Sequence, residues 1–264
     1  MQTLVTEKKG PLLILSFNRP KQHNAFDDQL LQELQTQLDD AAQQPDVRVL
    51  ILKGLGPDFS AGADLGWMKR MAQMSEEENR LDALRFARVM ATLYHCPKPT
   101  IAMVHGRAIG GGVGLIAACD IAIASVEAQF SFPEVRLGLI PAVISPYVIQ
   151  AIGERAARWL FLSTTPIDAQ RAYELQLIHH GVPHETLLSS TLTLAEQIAN
   201  HAPEALTQTK QLMDQLRHHP LDTALQHLTA EWIAKRRVST EAQERMHAFL
   251  SRNTPSVSRS ASDV

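Results

Sequence analysis

Three groups of residues in this chain could do chemistry together. Gly110, Gly111 and Gly112 open a run of small residues that continues through Gly114, Ala117, Ala118 and Cys119. A helix beginning there would leave its first N–H groups free to hold an oxygen carrying negative charge. Glu134 is an isolated carboxylate between Pro133 and Val135, just ahead of LGLIP. The third group is the loop FSAGADL, residues 59–65, whose small residues permit close backbone approach to a ligand. Donors for an oxyanion and a single carboxylate are the parts needed for proton transfer beside a carbonyl. Taken alone, a glycine run is more often a structural turn, and the loop is equally a tight entry into a helix starting near Gly66 or Trp67.

The elements that must position these groups alternate between two periods. Leu12–Phe17 is a short apolar run closed by Asn18-Arg19-Pro20, a strand followed by a turn. Leu30, Leu31, Leu34, Leu38 and Ala41 then recur at helical spacing, with Asp27 or Asp28 as the cap. After Pro45-Asp46 a second buried strand is predicted over residues 47–52, and the FSAGADL loop leaves its end. Ligands sit at such positions in open α/β sheets. A charged helix over 75–95, a third strand at Thr100–Val104, the glycine helix, and strands over 120–125 and 128–132 complete an α/β pattern. Beyond them the spacing predicts helices over 145–162, from Ala169 to about His179, over 189–200 and 203–218, and one long helix from 221. His179 and His180 are adjacent, so their side chains diverge on a helix; they are expected at its end or on the surface.

Composition excludes several classes. The chain has 264 residues, enough to bury a full core, and a formal net charge of −3 with 25 basic against 28 acidic residues. That balance leaves no basic stripe for nucleic acid. Two cysteines, Cys96 and Cys119, form no disulfide framework or metal-ligand spacing and point to a reducing compartment. No segment approaches the roughly 20 apolar residues of a membrane span, and the N-terminus lacks a signal-peptide apolar region, so a cytoplasmic protein is expected.

Three motifs in order, FSAGADL, PKPTIAMVHGRAIGGGVGLIAACDIAIA and AQFSFPEVRLGLIP, resemble the enoyl-CoA hydratase/isomerase (crotonase) superfamily. The likeness extends from RPKQHNAF to the C-terminal RVSTEAQERMHAFLSR. Within the superfamily, GADLGWMK and FPEVRLGLIPAVISPYVIQAIGERAARW are most similar to methylglutaconyl-CoA hydratases of leucine catabolism. The resemblance implies a spiral of ββα units over residues 1–195 and a C-terminal helical region, 196–252, that packs between subunits of a trimer or a dimer of trimers. The Ser-rich tail, 253–264, is expected to be disordered.

The resemblance also assigns roles. The backbone N–H groups of Ala63 and Gly111 match an oxyanion hole for the thioester, and Glu134 matches a catalytic glutamate. Hydratases of this family carry a second glutamate where this chain has Gly114, so a Δ3,Δ2-enoyl-CoA isomerase, which works with one, is the alternative to a 2-enoyl-CoA hydratase. Gly114 is expected to leave room for a branched acyl group, with Arg136, Lys69 or Arg70 as a cation for an acyl carboxylate. Ala25, Ala61, Asp64 and Leu65 match positions lining the coenzyme A groove, and Phe249 and Arg252 match residues approaching its nucleotide, often from a neighbouring subunit. Coenzyme A is then part of the substrate and no further cofactor is implied. A related mammalian protein also binds RNA, but the scattered basic residues here make nucleic acid a remote alternative.

Overall fold

The computed structural model describes residues 2–217 and 219–253. The chain divides into two units, Met1–Asn200 and His201–Val264.

The first unit is built on a six-stranded sheet. Its strands are β1 (Leu4–Lys9), β2 (Leu12–Phe17), β3 (Val49–Gly54), β4 (Thr100–Val104), β6 (Ile121–Ser125) and β9 (His180–Val182), in the order β1-β2-β3-β4-β6-β9. β2 and β4 are buried at every residue, as expected of parallel strands covered on both faces. The parallel registers run Leu13↔Leu50, Ile51↔Ile101 and Ala102↔Ala122. β1 lies antiparallel at the edge and exposes its last four residues, Thr6 to Lys9, a charged edge that resists further pairing.

Helices link the strands. α1 (Asp28–Gln43) begins at Asp27, whose side chain accepts from Leu30 N–H, and buries Leu30, Leu31, Leu34, Leu38 and Ala41. α3 (Glu76–Tyr94) opens on a full capping box between Ser75 and Glu78 and packs on α1. α2 (Leu65–Met71), α4 (Gly111–Ala118), α5 (Ser145–Ser163), α6 (Ala169–Glu174) and α7 (His184–Ala199) complete the unit. Gly153 leaves helical geometry at φ 77°, ψ 156° and breaks α5 into two segments.

A second, three-stranded sheet decides the site. β5 (Arg107–Ile109) and β7 (Gln129–Ser131) run parallel with Ile109↔Ser131 in register, and β8 (Ile167–Asp168) lies antiparallel on β7. The ends of β5 and β7 therefore point the same way. One continues into the triple glycine and the other into Glu134.

The histidine expectation holds for the surface, where His179 and His180 both lie exposed, and not for the helix end. His179 ends no helix, because α6 stops at Glu174. Its N–H donates to Ala122 O (2.8 Å) and its Nδ1 accepts from Ala122 N–H (3.0 Å), so the ring extends the pairing along β6. Burial, with His180 adding to it, lowers its pKa and favours the neutral acceptor ring.

The second unit holds α8 (Pro203–Leu216), α9 (Thr223–Arg237) and α10 (Thr240–Asn253). The long helix expected from 221 is two helices. Ser239 Oγ accepts from Ala242 N–H (3.3 Å) to start α10, and Glu241 turns back onto the first turn of α8, accepting from Glu204 N–H (3.1 Å) and Ala205 N–H (3.2 Å). Arg236 pairs with both Glu204 and Glu241 and holds the corner. The side chain of Arg252 and residues 254–264, nearly all of the tail, lie outside the described residues.

Candidate active site

The loop bearing Ala63 is held by the turn before α1. His23 and Asn24 both adopt left-handed backbone, at φ 52° and 55°, a conformation asparagine and histidine tolerate better than most. Asn24 is fully buried. Its side chain donates to Leu55 O (2.8 Å) and Asp58 O (2.7 Å) and accepts from Arg19 N–H (2.9 Å). Ala61 N–H donates to His23 O (2.9 Å), and Ser60 Oγ to Asn24 O (2.9 Å). Across the loop, Asp58 accepts from Arg107 N–H (2.8 Å), Nε (3.0 Å) and Nη2 (2.9 Å), and lies 2.7 Å from His23 Nδ1. Burial alone would raise the Asp58 pKa, but the Arg107 and His23 hydrogen bonds bring it down to about 2.

This clamp lays the loop along β5. Ser60 N–H donates to Arg107 O (3.1 Å) and Ile109 N–H to Ser60 O (2.9 Å). A further bridge pairs Phe26 with Ala63, in which Phe26 N–H donates to Gly62 O (2.8 Å) and Asp64 N–H to Phe26 O (3.0 Å). In that parallel pattern Ala63's own N–H faces away from Phe26, and it has no hydrogen-bond partner among the described residues.

The triple glycine meets the same place from the other side. Gly110 has φ 52° and ψ −116°, and a β-carbon there would lie 2.8 Å from Glu134 Oε1. Only glycine fits both constraints. A β-carbon at Gly111 would lie 2.3 Å from Cζ of Phe26, the residue that pairs with Ala63. Phe26 therefore brings the two backbone donors to one place. Gly111 opens α4, so its N–H has no partner within the helix, and none occurs among the described residues.

Glu134 heads a 3-10 turn, Glu134–Leu137. Its Oε2 is buried and has no hydrogen-bond partner among the described residues. Burial pushes its carboxyl above the ordinary carboxylate range, opposed only in part by its own backbone N–H. A buried carboxyl with an open hydrogen-bonding position, next to a helix start with a free N–H, can take and return a proton beside a bound oxyanion.

Other expected residues are placed as follows. Ala25 is 7 % exposed and its carbonyl accepts from Arg19; Ala61 is partly buried and Leu65 is 75 % exposed. Asp64 caps α2, accepting from Gly66 N–H (2.8 Å) and Trp67 N–H (3.1 Å), and pairs with Arg19 (3.1 Å). Arg136 donates to Thr164 Oγ1 and O, and Arg70 pairs with Asp28. Phe249 is exposed on α10 in the second unit. The room expected at Gly114 is taken: a β-carbon there would lie 2.2 Å from Ile144 Cγ2, and no carboxylate stands in its place. Ile144, Asn24, Asp58 and Arg107 were not singled out by residue type. The signal that could have pointed to Ile144 is Gly114 itself, since a missing side chain in a packed helix needs a filler.

Comparison with known proteins places the chain in a family. Residues 7–259 match the enoyl-CoA hydratase/isomerase family. The mitochondrial Delta(3,5)-Delta(2,4)-dienoyl-CoA isomerase of Dictyostelium discoideum is 35% identical over 217 residues, 78% of this chain and 74% of its own. The 2,3-dehydroadipyl-CoA hydratase of Escherichia coli K12 is 31% identical over 256 residues, 97% of this chain and 98% of its own. A crystal structure from Legionella pneumophila, bearing the name enoyl CoA hydratase/isomerase (crotonase), superposes with a TM-score of 0.92 at 53% identity, covering 96% of this chain and 97% of that one. A hydratase and an isomerase are thus both among the proteins this chain is similar to, and the chain belongs to the enoyl-CoA hydratase/isomerase family.

Proposed function

We propose that the protein hydrates a 2-enoyl-CoA thioester, with 3-methylglutaconyl-CoA, converted to 3-hydroxy-3-methylglutaryl-CoA, as the substrate its sequence resemblance points to. The observation that carries this is the buried, unpartnered Oε2 of Glu134 beside the free N–H of Gly111. The thioester oxygen sits between the Ala63 and Gly111 N–H groups, each worth about 3–4 kcal/mol of transition-state stabilisation. Ionised Glu134 takes a proton from water as the water oxygen bonds to the β-carbon. The alkene electrons move onto the thioester as an enolate. Protonated Glu134 then delivers its proton to the α-carbon, which restores the carbonyl and the carboxylate. Ala25, Ala61, Asp64 and Leu65 line the coenzyme A groove in this reading, and Phe249 and Arg252, as the resemblance implies, approach its nucleotide from a neighbouring subunit. Lys69, exposed on α2, is the cation for an acyl carboxylate, since Arg136 and Arg70 are engaged elsewhere. The working form is a homotrimer or a dimer of trimers.

One observation favours a second reading. Ile144, not a second carboxylate, stands beside Gly114, and a single glutamate suffices to move a proton from C2 to C4 of a 3-enoyl-CoA. The two are separated by incubating the pure protein with 3-methylglutaconyl-CoA and with a 3-enoyl-CoA and resolving the products. Hydration of the first is expected; isomerisation of the second without any hydration would overturn the first reading.

A further inference from the structure

The space beside Gly114 is filled from another helix. A β-carbon at Gly114 would lie 2.2 Å from Cγ2 and 2.7 Å from Cβ of Ile144, with Cε of Met90 at 3.5 Å. Ile144 immediately precedes α5 and is 3 % exposed. Gly114 N–H donates to Gly110 O (3.1 Å), so the two glycines lie one turn apart on one side of α4. Gly110 carries the Glu134 carboxyl against its α-carbon, and Gly114 carries Ile144 in the same way. The turn bearing Glu134 also packs on α5, and α5 packs on α4. The carboxyl and the isoleucine are therefore successive fittings along one side of the helix whose first N–H faces the oxyanion.

We infer that Ile144 is the specificity-determining residue of the acyl site: seated on Gly114, its side chain walls the pocket one turn below Glu134 and limits the bulk of acyl group admitted. This rests on the acyl-CoA reading above. A thioester oxygen at Gly111 and an α-carbon at Glu134 fix two points of the substrate, so the acyl chain past the β-carbon must run along α4 toward Ile144 or turn away from it. A branched apolar side chain close-packed on glycine leaves no slack for extra carbons. Apolar walls discriminate modestly, by about 10–200-fold per methylene.

The test compares wild type, Ile144→Ala and Ile144→Val on crotonyl-CoA and on a straight 2-enoyl-CoA four carbons longer. It also measures Kd for the two saturated acyl-CoAs of the same lengths, and the melting temperature of each variant. Ile144→Ala should shift the long-to-short ratio of kcat/KM by about tenfold or more toward the longer thioester, with Kd moving in parallel. Ile144→Val should move the ratio the same way by less, and it decides the matter if the alanine variant does not fold. A merely structural isoleucine would weaken both thioesters equally, so an unchanged ratio in a folded variant overturns the inference. If wild type turns over neither thioester yet binds the saturated acyl-CoAs, the proposed reaction is wrong while the Kd ratio still judges Ile144. If no acyl-CoA binds, both fall together.

Discussion

Glu134 holds its proton more tightly in the folded chain than an ordinary glutamate, because it gives up water and gains no hydrogen bond at Oε2. Two outcomes follow at this one residue. Glu134→Gln keeps the shape and loses the proton, so kcat should fall by about 10²–10⁴, with a smaller change in KM. Retained turnover of wild-type size would exclude Glu134 as the acid/base. The same change should stabilise the protein at neutral pH. With a folded pKa above the ordinary value of 4.5, the stability contributed by protonated Glu134 is complete below that value and is lost as pH rises through the folded pKa. Denaturant melts of both proteins should thus diverge above pH 4.5 in favour of the variant and converge below it; a variant less stable at pH 8 than at pH 4.5, relative to wild type, would contradict the assigned shift. The chemistry-bearing residues were legible because few types can do the work: a lone carboxylate, a glycine run, a loop of small residues. Ile144 was not legible, because an isoleucine announces burial and nothing about what it is packed against.

At the scale of elements, the site depends on holding a loop against a three-residue strand. Asp58 does this with one carboxylate, accepting from Arg107 and His23. Its pKa of about 2, against 3.8 unfolded, contributes about 2 kcal/mol that is present above pH 3.8 and lost as pH falls through about 2. Asp58→Asn should therefore lower unfolding free energy by about 2 kcal/mol at pH 7 in urea, the deficit shrinking toward pH 2. Because Ser60 to Ala63 hang on this clamp, kcat/KM should fall as well, though Asp58 touches no reacting atom. A variant as stable as wild type at pH 7 would show that Asn24 and the backbone bonds to His23, Arg107 and Phe26 hold the loop without Asp58. The longer elements were plain in the sequence: β2, β4, α1 and α3 carry unbroken apolar runs or a helical stripe. β5, β8 and β9 have three residues or fewer, too short for any period to show, and β1 hides its pairing behind Glu7, Lys8 and Lys9. Yet β5 with β7 brings Glu134 to Gly110, so the decisive juxtaposition was the least readable part of the fold.

For the whole molecule, the exposed apolar side chains argue for association. A single exposed leucine is ordinary, but Leu137, Leu139 and Ile140 follow Glu134 in one loop and are 60, 50 and 73 % exposed. Leu162 at the end of α5 is 75 % exposed, and in the second unit Leu221 and Val238 are 95 and 78 % exposed. Contiguous exposed apolar groups mark interaction surfaces, and the homotrimer proposed above would cover these with copies of this chain. The Glu134 turn runs directly into the exposed loop, so covering the loop would also fix the carboxyl. Light scattering should then give a mass of three or six times the 29.2 kDa chain. The melting temperature should rise with protein concentration, as it does when only the assembled form is bound together. Ile140→Glu places a charge in the loop without altering Glu134, and should lower both mass and specific activity in parallel. A monodisperse single chain of full activity would show that these side chains serve no assembly, and that Glu134 is held by β7 and α5 unaided.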